Sequence, residues 1–146
     1  MATYHPIPNE NHVVRVCSVQ RLVKDADGNV TGVSPGFFML RPEKEEKDLS
    51  CNWLEHIAGT KEVQLAACKI SMEKVKGAKG RKIVISKVHN IKSIGNKFKK
   101  KLIAKTKGKK SDPSYSGIFG MPLDNSDVEL IAALVDGAVD EILDLT

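Results

Sequence analysis

Six polar residues fall where folded chains tend to build sites, at the ends of segments rather than inside them. Arg41 closes the apolar run 37–40. Ser50, Asn52 and Glu55 belong to the next segment, His89 follows a β-branched run, and Ser116 lies in a glycine-bearing stretch. If Arg41, Glu55 and His89 converge, an anion-binding guanidinium, a carboxylate and an imidazole would suffice for a small hydrolase or transferase. The competing reading makes all six caps and turn-formers that bond their own backbone. Cys51 is a second chemical candidate. At the first turn of a helix begun by Ser50 its thiol would feel the N-terminal dipole, and His56 or His89 could activate it. It serves as readily as a small apolar residue beside Trp53. "GAKGRK" at 77–82 has two glycines and three cations but not the GxxxxGK[ST] order, which argues against nucleotide hydrolysis. The acids cluster in polar runs, so no carboxylate pair presents itself as an acid–base dyad.

His5, His12, His56 and His89 are scattered, and Cys17, Cys51 and Cys68 lack CxxC spacing. Neither a metal site nor a disulfide framework follows, and no cofactor is expected. The thiols read as small buried hydrophobes in a reducing compartment.

The clearest chemical signal is charge. "GNKFKKKLIAKTKGKK", residues 95–110, carries eight lysines and no carboxylate. The net charge of +5 conceals the pattern: residues 74–110 hold 15 of the 23 Lys and Arg and no acid, leaving 8 basic against 18 acidic residues elsewhere. Ammonium groups packed within one Debye length make a field that phosphates feel. The polyanion-binding set is therefore Arg81, Lys82, Lys97, Lys99, Lys100, Lys101, Lys105, Lys107, Lys109 and Lys110, with His89, Phe98 and Tyr115 near enough in sequence to stack on bases. Against this, lysines also blunt exposed strand edges, or could fold back on the acidic C-terminal segment.

The elements that must position these residues are legible in part. "HVVRVCSVQRLV" (12–23) alternates and is rich in valine, so a strand is expected, turning at Asp27-Gly28 into a partner strand over 30–42. "LSCNWLEHIAG" (49–59) reads as a short helix with Ser50 as N-cap and Gly59 as terminator, placing Trp53, Leu54 and Ile57 on one face. A second helix is expected over 60–77, from Thr60 to Gly77, with a strand as the alternative. "KIVISKV" is a strand. From Lys92 to Lys110 the pattern fades, 111–122 is turn-rich, and 125–145 reads as one amphipathic helix with Ser126 and Glu129 as a capping box. The fold class expected is α+β: a small antiparallel sheet with an N-terminal β-hairpin and a C-terminal amphipathic helix packed on it.

"FFMLRPEKEEKDLSCNWLE" (37–55) and "VHNI…DPSYSGIFGMP" (88–122) resemble the paired signatures of a family of small bacterial proteins with no assigned activity, loosely FRLRP, LSxNWLE, a later His, and PxHxxIxG. Tyr115 and Ser116 stand where that pattern has a histidine, and Phe38-Met39 replace its arginine. The resemblance implies that the region of Arg41, Ser50 to Glu55 and His89 matters to such proteins as a group.

At 146 residues one domain is expected over 1–146, with 1–11 as a polar arm and 92–112 as a lysine-rich loop. No apolar run approaches a membrane span, and the N-terminus lacks the marks of a secretion signal, so a cytoplasmic location is expected. The reading that follows is a small non-enzymatic binding protein for nucleic acid or another polyanion. The alternatives are a protein-binding component of a bacterial accessory or defence-type operon, and the small hydrolase or transferase above.

Overall fold

Valine- and isoleucine-rich runs separated by turn-formers build an antiparallel sheet here, as the sequence leads one to expect for an α+β chain. The structure is a computed structural model and describes residues 4–73, 81–123 and 126–145. Six strands, β1 (His12–Cys17), β4 (Asp48–Trp53), β5 (Lys82–Lys87), β6 (Ile103–Thr106), β7 (Tyr115–Phe119) and β8 (Glu141–Asp144), lie in the order β6-β7-β4-β1-β5-β8. Every neighbouring pair is antiparallel. A separate ribbon of β2 (Leu22–Lys24) and β3 (Val30–Val33) forms the hairpin.

The three α-helices among the described residues sort to the two faces. α2 (Val88–Lys97) and α3 (Val128–Gly137) pack on one, where Val13, Cys17, Leu49, Cys51, Val84 and Ile118 meet Ile91, Ile94, Leu130, Ile131 and Leu134. α1 (Lys61–Glu73) covers part of the other, seating Cys68 and Met72 on Val14, Ile83, Ile85 and Leu54. The α1 side of β4, β7 and β6 carries polar residues instead: Ser50, Asn52 and Tyr115 line an open groove, Lys107 pairs with Asp48, and Lys105 lies over aromatic rings.

Several expectations are corrected. Segment 49–59 is strand β4 followed by a 3-10 turn at Leu54–His56, not a helix. Ser, Cys, Asn and Trp are indifferent helix formers, and a central place between β1 and β7 rewards their period-2 alternation. Leu49 and Cys51 point to one core, and Leu54 joins the other. The Asp27-Gly28 turn is real but spans Asp25 to Asn29, with Asp25 Oδ1 accepting from the backbone of Asp27 and Asn29 and Gly28 at φ 83°. β1 leaves the hairpin for the main sheet, and a 3-10 turn at Val19–Arg21 breaks the long strand.

α1 forms as expected, with Thr60 Oγ1 accepting from Val63 N at 3.3 Å. Its expected terminator Gly77 lies outside the described residues. The C-terminal helix stops at Gly137, and its cap is Asp127, whose side chain accepts from Leu130 N, rather than Ser126. The chain then turns into β8, because β5 would otherwise present an unpaired edge. The region expected as a lysine-rich loop is instead α2, β6 and the approach to β7. Val88, Ile91 and Ile94 make a helical stripe beneath the lysines, and Leu102, Ala104 and Thr106 alternate inward along β6.

Candidate functional site

β1 and β4 pair at only two positions, Val13↔Trp53 and Val14↔Asn52. Beyond them β1 keeps to β5 as far as Cys17, while β4 keeps to β7 back to Asp48, so the strands part into a fork. Continued pairing would set Arg15 against Cys51. Instead the Arg15 side chain bridges the gap, donating from Nε to the Ser50 carbonyl at 3.0 Å and from Nη1 to the Phe37 carbonyl at 2.5 Å. Its guanidinium lies 4.2 Å from the Phe37 ring centre. Burial pulls its pKa down to about 10, with the neighbouring charge of Arg21 pushing the same way, so it remains a cation at neutral pH.

A groove of about 700 Å³ opens from this fork. The chain has four arginines, Arg15, Arg21, Arg41 and Arg81, and all four line it. Arg21 comes from the 3-10 turn at Val19–Arg21 and lies over Gly36, whose absent Cβ would sit 3.5 Å from Arg21 Nε. Arg41 follows the turn at Pro35–Phe38, and Arg81 leads into β5. On the opposite wall stand Lys109 and Tyr115, whose hydroxyl bonds Ser50 Oγ at 2.8 Å. Five cations thus face two carboxylates, Glu46 and Asp112. Glu46 is held by Arg41, accepting from its Nη2 at 2.8 Å and its backbone N at 2.7 Å. That hydrogen bond holds the Glu46 carboxyl below its usual range and raises Arg41. Asn52 Nδ2 donates to Asp112 and Ser114, both at 2.9 Å, and so occupies the other carboxylate.

The expected lysine set divides. Lys97, Lys99, Lys100 and Lys101 stand at the end of α2 and in the turn after it, where Lys100 N and Lys99 N return to Gly95 and Asn96 carbonyls at 2.9 and 3.1 Å. Lys99 takes the left-handed position, φ 58°. Lys105 lies over Phe119 and Tyr4, and Lys107 pairs with Asp48 at 2.9 Å. Burial lowers Lys107, but the Asp48 hydrogen bond and charge outweigh it, so its pKa ends raised. Lys107 and Lys109 flank the Tyr115 ring at 4.8 and 4.9 Å. Lys110 is exposed, and Lys82 pairs with Asp144 on β8. Among the described residues, the C-terminal acids pair with Lys61, Lys82 and His12, not with the lysines of 97–110.

The chemical trio does not assemble. Arg41 is in the groove, whereas Glu55 lines a second cavity of about 280 Å³, bound to His12 Nδ1 at 2.5 Å and to His12 N at 2.8 Å. His89 sits exposed on α2, 3.3 Å from Ser93 Oγ, and lines neither. Ser116 is buried, donating to the Ser114 carbonyl. Cys51 is buried in the middle of β4, and burial pushes its thiol up to about 12, so it stays protonated at neutral pH. Cys17 and Cys68 are likewise buried and raised to about 11. Sequence reading missed Arg15, Arg21 and His12. One signal was available for Arg15: a guanidinium flanked by valines in a strand needs a reason to be there.

Among the described residues, no group of three or more His, Cys, Asp or Glu could hold a metal, and no helix is long and apolar enough to cross a membrane. No family model, curated protein or solved structure matches this chain.

Proposed function

We propose that this chain is a non-enzymatic binding protein for nucleic acid, which it holds by the phosphates. The observation that carries the reading is that every arginine in the chain, drawn from four separate stretches, lines one groove. Guanidinium is the side chain best matched to phosphate oxygens, offering a planar fork of donors with a weakly held hydration shell. Lysines outnumber arginines 19 to 4, yet the described ones spread over several surfaces. The exposed lysines 97, 99, 101, 109 and 110 extend the positive field beyond the groove. Association would proceed by charge neutralisation and counterion release, without reading base sequence, in a compartment such as the cytoplasm where nucleic acids are in reach.

Retention on immobilised oligonucleotide tests this. The wild-type chain should elute at a salt concentration that drops clearly for Lys99→Glu/Lys100→Glu/Lys101→Glu and for Arg41→Gln. Retention that neither variant alters would end the reading. If an acidic protein is the partner instead, free oligonucleotide will fail to compete for it.

A further inference from the structure

A desolvated cation in a folded protein is normally matched by a carboxylate or a ligand. Of the four arginines only Arg41 has a carboxylate within ion-pair distance among the described residues. Arg15 is the deepest of them. Protein surrounds it closely enough to depress its pKa, yet its surface is only partly buried, as befits a group at the bottom of a recess. Its hydrogen bonds use Nε and Nη1. No buried side-chain nitrogen among the described residues lacks a partner, so Nη2 is open to solvent, on a side chain that lines the groove. The floor of the groove therefore presents a guanidinium edge with donors to spare.

Two features limit what can sit there. The fork is closed at its inner end by the Val14↔Asn52 pair, so a group that enters the gap between β1 and β4 beside Arg15 meets a dead end there. The volume of about 700 Å³ lies within the range of small-ligand sites. An internal phosphodiester would have to bring chain in on both sides. A terminal phosphate needs room on one side only, and it carries about −1.5 to −2 charges for the guanidiniums to meet. Met39 and Tyr115 line the walls above, where the attached sugar and base would lie.

We infer that the groove binds a terminal phosphomonoester, that of a mononucleotide or of an oligonucleotide end, with Arg15 at its floor and Arg21 and Arg41 at its sides. The inference rests on the groove being the phosphate site of the proposed function. It adds that the strand is gripped by its end. The lysines outside supply affinity for the trailing chain but no preference for the end.

Fluorescence anisotropy tests it with two pairs of probes: a 5′-phosphorylated against a 5′-hydroxyl dT decamer, and adenosine 5′-monophosphate against adenosine as competitors. The phosphorylated member should bind at least tenfold tighter in one pair or both, and the pair that shows the preference identifies the source of the phosphate. Arg21→Gln/Arg41→Gln should erase the preference. Lys99→Glu/Lys100→Glu/Lys101→Glu should weaken both decamers while leaving their ratio unchanged. Because Arg15 also holds the fork together, the wild-type probe comparison carries the test without altering it. Equal affinity within both pairs overturns the end-binding inference while leaving polyanion binding standing. No binding of either decamer, together with no retention on immobilised oligonucleotide, overturns both.

Discussion

The arginine groove and the lysine segment are both positive, but they are built in opposite ways. Lys97, Lys99, Lys100 and Lys101 are neighbours in the chain and spread outward from the end of one helix, each on its own flexible stem. Arg15, Arg21, Arg41 and Arg81 are distant in the chain and converge on one recess, where Arg15 is fixed by two backbone carbonyls and a ring, and Arg41 by Glu46. A fixed guanidinium has already lost the side-chain freedom that binding would otherwise remove. Mobile ammonium groups steer an anion in from a distance; fixed guanidiniums can select one anion geometry over another.

The sharpest way to break this comparison is to neutralise equal charge in each region. Arg21→Gln/Arg41→Gln should weaken binding of a phosphorylated oligonucleotide by about tenfold or more per residue, because a charge-assisted hydrogen bond is lost at each. Neutralising two of the exposed lysines to Gln should cost about twofold to fivefold per residue, within the range of solvent-exposed pairs. Equal loss per charge in anisotropy titrations would erase the distinction.

Next in size is the packing that seats the lysine segment. A Cβ on Gly95 would lie 2.7 Å from Leu102 Cγ and 2.8 Å from the Lys100 carbonyl. Gly95→Ala should therefore lower stability by about 1–3 kcal/mol in urea unfolding, the usual penalty of overpacking, while the groove on the far side of the sheet keeps its affinity. Unchanged stability would mean that the α2 terminus does not hold those lysines in place.

Smaller still is the pH signature of the groove. Arg41 depresses Glu46 below the ordinary 4.5, so the stability this pair contributes is complete above 4.5 and is lost as pH falls through the lower, folded-state value. Arg41→Gln should be less stable than wild type at pH 7 by under about 1 kcal/mol, since the pair is partly exposed. That gap should close in acid. A gap that persists below the folded-state pKa would assign the effect to Arg41 packing instead. The smallest effect belongs to Lys99, which occupies a left-handed backbone position suited to glycine. Lys99→Gly should raise the unfolding free energy in urea by only about 0.5 kcal/mol, relief from the Cβ clash being largely offset by the freer unfolded chain.

Local regularities carried the correct expectations. β5 is a β-branched run, Thr60 opens α1, and Asp25 to Asn29 turns the small ribbon. The misreadings share a cause. Segment 49–59 has the caps of a helix, but its backbone completes a sheet between β1 and β7, and a central strand outweighs weak helix propensity. Segment 138–145 continues an amphipathic stripe, but the free edge of β5 claims it. In 88–106 the lysines hid a helical stripe and an alternating strand, because charge at the surface says nothing about the apolar residues beneath. The lysine set was visible because it is contiguous; Arg15 and Arg21 passed unnoticed because nothing local marks them as partners of Arg41 and Arg81.

From its sequence alone this protein has its mixed α+β character and its separation of positive and negative segments. Those follow from composition and short-range periodicity, which act over a turn of helix or a pair of strand residues. Only the tertiary structure decided that β1 and β4 separate after two pairs, and that four remote arginines meet at the opening. Strand pairing between distant segments is set by which edges compete for which partners, a contest that no window of sequence contains.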